Sequence, residues 1–252
     1  MARTDQVART ARTRGATIFY KVTGEGPPLL LISGLGAEHS MWALQVDSFA
    51  EHFTVISFDN RKIGESSGGG LVPWIETMAS DAAAVLDDAG YGRAHVVGMS
   101  MGGFIAQTLA VTFPRRVSKL VLTCTAAVRP IPRLRGGFRG MFFSPEFRRD
   151  HPERVSRWSE LVRRDQPQVN AVLGQLVASA LFDLRSEVSK IEVPTLVVHG
   201  TKDLLVPAEC GRWLAEHIPG AELVLLEGAG HAVPIERAVE YNRLVVDFLS
   251  RE

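Results

Sequence analysis

Cysteine is nearly absent from this chain: of 252 residues, only Cys124 and Cys210 carry a thiol. Two such widely spaced residues cannot build a disulfide framework, and they lack the paired spacing of a zinc site. Cys124 lies in the run LVLTC and reads as a small residue at a buried strand end. No apolar run reaches the roughly 18 residues of a membrane span. The arginine-rich start, MARTDQVARTARTRG, has no apolar segment of the secretory kind, so a cytoplasmic protein and no membrane partner are expected. Charge of one sign is also missing, with 28 Lys+Arg against 28 Asp+Glu. Bulk electrostatics therefore offer nucleic acid no attraction. No metal-ligand cluster and no dinucleotide glycine pattern stands in its required context, so no cofactor is expected.

What is present is a hydrophobic content of 46%, enough for the core of one large domain. ARTART and ATIFYKV read as two short strands around a turn at Arg14-Gly15. PPLLLISG (27–34), FTVISFDN (53–60), AHVVG (94–98) and VSKLVLTC (117–124) follow, separated by helical stretches near Met41 to Glu51, in WIETMASDAAAVLDDAG and in MGGFIAQTLAVTF. Strands apolar on both faces, alternating with helices, indicate a mostly parallel sheet flanked by helices. From about Val128 to Lys190 the rhythm breaks into polar and basic helical stretches. It resumes with VPTLVVHG (193–200) and AELVLLEG (221–228), each followed by a helix. The reading is thus an α/β core in two parts, 1–127 and 191–252, with a helical lid, 128–190, inserted after the sixth strand.

The stretch VVGMSMGGFIAQ (96–107) sets Ser100 between Gly98 and Gly102, where a strand gives way to a helix. A serine on so sharp a turn must adopt a strained backbone that lifts its hydroxyl clear of the sheet. Side chains at 98 and 102 would collide there, and the helix start adds unpaired N–H groups beside any oxyanion that forms. A serine hydroxyl needs a base to take its proton and an acid to orient the base. Asp203 follows the strand TLVVHG, and His231 follows the strand ELVLLEG. His95 and His199 read as structural histidines, and Asp59 as the anchor of the turn DNRKIGES.

ISGLGAEHSMW, FDNRKIGES, GMSMGG, HGTKDLLVP and GAGHAVPIE stand in the order and spacing of the α/β-hydrolase superfamily, which the chain resembles from about residue 16 to its end. The resemblance implies Ser100 as nucleophile, Asp203 as orienting acid and His231 as general base and acid. It implies an oxyanion hole from the N–H groups of Met101 and Leu35, with Gly34 as the fallback. The chain departs from the family in having Ser33-Gly34 where His-Gly is common, and Lys62 where the Asp turn usually carries glycine. A serine rather than an aspartate at the nucleophile position favours acyl chemistry and resembles small-molecule carboxylesterases and enol-lactonases. The same triad also serves cofactor-free haloperoxidases or perhydrolases, carbon–carbon bond hydrolases and, rarely, ligand receptors.

For the substrate, a small ester or lactone, the residues near the motif loops or in the lid are Gly34, Trp42, Met99, Arg135, Phe138, Met141, Phe142 and Trp158. Between Arg129 and Asp165 ten arginines face five acidic residues. That local excess suggests recognition of a substrate carboxylate, or docking of an acidic acyl-carrier protein.

Overall fold

The structure is a computed structural model. It describes residues 6–130, 137–164 and 169–251, with the side chains of 137–139 and 161–164 outside the description. The amino-terminal hairpin is formed by β1 (Val7–Thr13) and β2 (Ala16–Thr23), antiparallel, with Gly15 at φ 73° in the turn. β3 (Pro28–Ile32) follows, then a single 3-10 turn (His39–Trp42) and the short α1 (Val46–Ala50), two pieces where one helix is predicted. β4 (Thr54–Phe58) leads to α2 (Ile75–Asp88), which stops at Gly90 in the left-handed region that glycine alone adopts without strain. β5 (Ala94–Met99), α3 (Met101–Thr112) and β6 (Val117–Thr123) complete the first part.

Among the described residues four helices then intervene, α4 (Gly137–Phe142), α5 (Pro145–Asp150), α6 (Pro152–Arg164) and α7 (Val169–Ala180). The sheet resumes with β7 (Thr195–Gly200), α8 (Ala208–His217) and β8 (Glu222–Leu226). One turn of helix, α9 (Val233–Glu236), and α10 (Ala238–Leu249) close the chain.

The eight strands pair in the order β1-β2-β4-β3-β5-β6-β7-β8, and only β2 runs against the others. Side chains alternate across each strand, so one strand feeds two cores. In β3, Leu30 and Ile32 join the layer beneath α2 and α3, while Leu29 and Leu31 join the layer beneath α1 and α10. Each fully buried leucine contributes about 1.5–3 kcal/mol of transfer free energy, so a doubly covered strand is held from both sides. Every parallel strand ends at the same edge of the sheet, and the loops beyond that edge carry the motif residues.

Among the described residues no helix is long and apolar enough to cross a membrane.

Candidate active site

Ser100 sits between β5 and α3 with φ 56° and ψ −122°, a left-handed conformation that strains a residue with a Cβ. The two glycines around it have no space for a side chain. A Cβ on Gly98 would lie 2.7 Å from the Ala106 Cβ, and one on Gly102 would run into the Ile32 carbonyl and lie 2.7 Å from that of Ser33. The turn is braced by the end of β6: Ser100 N–H donates to the Thr123 carbonyl (2.9 Å), and the Thr125 hydroxyl donates to the Ser100 carbonyl (2.7 Å).

Asp203 and His231 meet beyond β7 and β8. His231 Nδ1 lies 2.8 Å from Asp203 Oδ2, and both side chains are buried. The other carboxylate oxygen accepts the backbone N–H groups of Leu205 (2.9 Å) and Val206 (2.8 Å). Nδ1 thus faces the carboxylate, and Nε2 is the ring nitrogen on the side away from it. In the strand order β6 stands between β5, which carries Ser100, and β7, which carries Asp203; at its end Cys124, itself at φ 47°, has its sulfur within 4.8 Å of the ligand-type atoms of Asp203 and His231. Burial pushes the Cys124 thiol well above its usual range, with the Asp203 charge adding to the effect. The expectation of a small buried residue holds: Cys124 belongs to the apolar layer with Val121, Val198 and Val233, and it also borders the acid and the histidine.

The loop after β3 packs against the serine. A Cβ on Gly34 would stand 3.4 Å from the Ser100 Cβ and 4.0 Å from its Oγ. Gly36 N–H donates to the Gln175 side-chain oxygen on α7 (2.8 Å), and Ala37 N–H to the Gly34 carbonyl (3.2 Å). Among the described residues, neither the Leu35 N–H nor the Met101 N–H has a hydrogen-bond acceptor. Two unclaimed donors beside one serine are what an incoming oxyanion requires.

Asp59 is fully buried and holds its turn as expected, accepting from His39 N–H (2.7 Å), Glu65 N–H (3.0 Å) and the His39 ring Nδ1 (2.8 Å). Asn60 donates to the Ser33 carbonyl, and Arg61 forks onto buried Asp81 at 2.6 Å through each nitrogen. Lys62, the departure from the family's glycine, has φ 67°, so the turn keeps the glycine conformation while a lysine bears the strain. His199 is buried against Gly211, with Nε2 3.0 Å from the Val206 carbonyl, and burial lowers its pKa. Burial likewise lowers His95 to about 4.

Two groups of described residues bring three ligand-type atoms within 4.8 Å: Cys124 with Asp203 and His231, and Glu38 with His39 and Asp59. In each, a histidine nitrogen and a carboxylate oxygen already stand 2.8 Å apart as a hydrogen-bonded pair.

The substrate-side expectations divide. Trp42 is fully buried in the layer beneath α1 and α10, among Leu29, Leu31 and Phe49, and is corrected to a core residue. Its place one helical turn beyond the motif loop aims the indole inward. Met99, the last residue of β5, is corrected in the same way, since strand alternation turns it into that layer. Phe142 does reach the site, its ring edge-on to that of His231 with centroids 5.8 Å apart, and Trp158 packs on Phe142 at 4.9 Å. Met141 is partly exposed beside it. Arg135 and the side chain of Phe138 lie outside the described residues. Of the described insertion arginines, Arg149 pairs with Asp150, while Arg154 stacks on Phe147 and donates to the Ile235 carbonyl.

Sequence reasoning missed Gln175, Thr125, Ser144 and Glu236. The Glu236 carboxylate accepts from Ser144 N–H and Oγ (2.8 Å each) and from Gly230 N–H (3.1 Å), and burial raises its pKa. Only the short spacing from His231 to Glu236 in GAGHAVPIE could have drawn attention to it.

The sequence and the fold find the same counterparts elsewhere. The model of the Alpha/beta hydrolase family matches residues 29–244. A putative carbamate hydrolase of Agrobacterium fabrum is 30% identical over 92% of this chain and 96% of its own length. A 3-oxoadipate enol-lactonase of Acinetobacter baylyi is 28% identical, with 96% of each chain covered. Among solved structures, the enol-lactonase from Burkholderia xenovorans LB400 superposes with a TM-score of 0.86 at 30% identity, over 96% of this chain and all of the other. With the strand order, the strained serine turn and the aligned acid and histidine loops, these matches make the chain a member of the alpha/beta hydrolase family.

Proposed function

We propose that the protein is a serine hydrolase that cleaves a small-molecule carboxylic ester or lactone through an acyl-enzyme on Ser100. The observation that carries this reading is the buried His231–Asp203 pair, its Nδ1 held at 2.8 Å, one strand end away from a serine in a left-handed turn. His231 Nε2 takes the Ser100 proton as Oγ attacks the carbonyl carbon, and the oxyanion settles on the N–H groups of Leu35 and Met101. The imidazolium, stabilised by Asp203, returns the proton to the departing alkoxide. Water then attacks the acyl-enzyme, giving its proton to His231, and the acid leaves as Ser100 regains its hydrogen.

The insertion, 128–190, serves as the lid over this site, with Phe142, Met141 and Trp158 forming the apolar side toward the acyl or alcohol group. Cleavage of a carbamate is a second reading, favoured by the name of the Agrobacterium fabrum relative. It needs the same attack, on a carbonyl made less electrophilic by donation from the carbamate nitrogen.

The test is intact mass after a fluorophosphonate probe, followed by rates on a panel of esters, lactones and carbamates. One adduct is expected on the wild type and none on Ser100→Ala, with turnover reduced by roughly 10⁵-fold or more. Absence of an adduct on the wild type overturns the reading, and faster turnover of carbamates than of any ester or lactone transfers it to the second.

A further inference from the structure

The catalytic histidine of the proposed reaction stands on a turn whose backbone is bonded to the insertion directly on one side and through a shared carboxylate on the other. Before it, Gly230 N–H donates to Glu236 Oε1; after it, Ala232 N–H donates to the Phe142 carbonyl (2.8 Å). Glu236 is 5% exposed, and the same carboxylate receives the N–H and hydroxyl of Ser144, which caps α5. Gly230 is pressed so tightly into this junction that a Cβ there would lie 2.7 Å from both Glu236 Oε1 and Ser144 N. An apolar cluster seals it, Phe143, Phe147 and Val155 from the insertion packing with Ala232 of the turn. Farther out, Arg154 donates to the Ile235 carbonyl, and Lys202, one residue before Asp203, pairs with Glu146 at 2.6 Å.

We propose that the first half of the insertion, Phe142 to Arg154, is a fixed part of the catalytic base rather than a moving flap, and that Glu236 is the joint between them. Glu236 is a positioning residue: it touches no reacting atom but sets the height and angle of His231 through Gly230. Swinging this segment away from the core would break the Ala232–Phe142 bond beside His231 and strip Ser144 from the carboxylate that holds Gly230. Placing His231 as the base rests on the function proposed above.

The experiment combines hydrogen exchange on the full-length protein with kinetics on an activated ester. In the wild type, peptides covering Ser144 to Phe147 and Gly230 to Ile235 are expected to exchange together and slowly. Glu236→Leu is expected to speed exchange in both segments by about tenfold or more, because both lose the shared acceptor. Glu236→Gln keeps an oxygen for Ser144 N–H and Gly230 N–H and offers an amide hydrogen to Ser144 Oγ, so it is expected to stay near wild type. Ser144→Ala, the milder variant should Glu236→Leu not fold, is expected to move the same two segments by less.

In kinetics, Glu236→Leu is expected to lower kcat by about 30- to 100-fold, the size of effect a 1 Å misplacement produces, with KM little changed. In a His231→Ala background the same change is expected to alter the residual rate by less than about twofold, since its route of action is gone. Independent exchange of the two segments in the wild type overturns the proposal. So does an equal loss from Glu236→Leu in both backgrounds, which is the mark of general damage. Full activity in His231→Ala would instead overturn the assigned function while leaving the exchange result to stand or fall by itself.

Discussion

The strand ends of the core and the helical insertion meet at the same site but are built in opposite ways. At the strand ends, Ser100 and Asp203 follow the buried strands β5 and β7, His231 follows the edge strand β8, and glycines let backbones touch. In the insertion, α7 turns Val169, Leu173, Leu176 and Val177 outward and spends Gln175 on the loop beside the serine. A core of this kind holds geometry to fractions of an ångström. The outward face of α7, with no packing partner among the core strands, can change without disturbing that geometry. The chemistry is accordingly proposed to lie with the first region and the choice of substrate with the second.

Several measurements bear on that contrast, and the largest concerns the core. Asp203→Asn leaves the shape nearly intact but presents His231 with the wrong hydrogen-bonding face, and kcat is expected to fall by about 10⁴-fold. Steady-state kinetics on an activated ester, with circular dichroism to confirm the fold, decides it. A loss below tenfold would remove Asp203 from the proposed chemistry.

Next comes the packing beneath the elbow. Gly102→Ala places a methyl group against two backbone carbonyls, which cannot swing aside as side chains do, and is expected to cost about 1–3 kcal/mol or more. Urea denaturation reads it directly. A neutral result would mean that the strand end is far more compliant than the contrast requires.

In the insertion, Gln175→Leu frees the Gly36 N–H and loosens the loop that carries Leu35. The expected outcome is about a tenfold loss in kcat with a smaller change in KM, because the donor is disturbed only through its loop. An unchanged kcat would separate α7 from the proposed oxyanion hole. The smallest effect belongs to the outer face of α7: Leu173→Gln, at a position 53% exposed, is expected to shift stability by less than about 0.5 kcal/mol. A large loss in thermal or urea denaturation would show that α7 is as tightly built into the molecule as the core.

Much of the fold was legible in the chain because its signals are local. The turn at Arg14-Gly15, the glycine stop of α2 and the doubly apolar strands each depend on a few adjacent residues, and all appear where read. The candidate site was legible through spacing: a serine between glycines at a strand end, then an acid and a histidine after later strands. Lys62 shows the same logic from the other side, since the departure from glycine falls where the backbone still takes a glycine conformation. Trp42 and Met99 failed because nearness to a motif in sequence says little about which face of the sheet a side chain meets.

By itself, then, the sequence determined the alternation of strands and helices, the place of the break after the sixth strand, and the order of serine, acid and histidine. Those are matters of periodicity and of backbone freedom at single positions, which neighbouring residues decide. Only the tertiary structure decided that Gln175 reaches Gly36 across 139 positions, that Ser144 and Gly230 share one buried carboxylate, and that Thr125 braces the serine turn. Such contacts depend on the three-dimensional closure of distant segments. A buried polar group takes whichever partner that closure brings within reach, because leaving it unpaired costs more than almost any alternative.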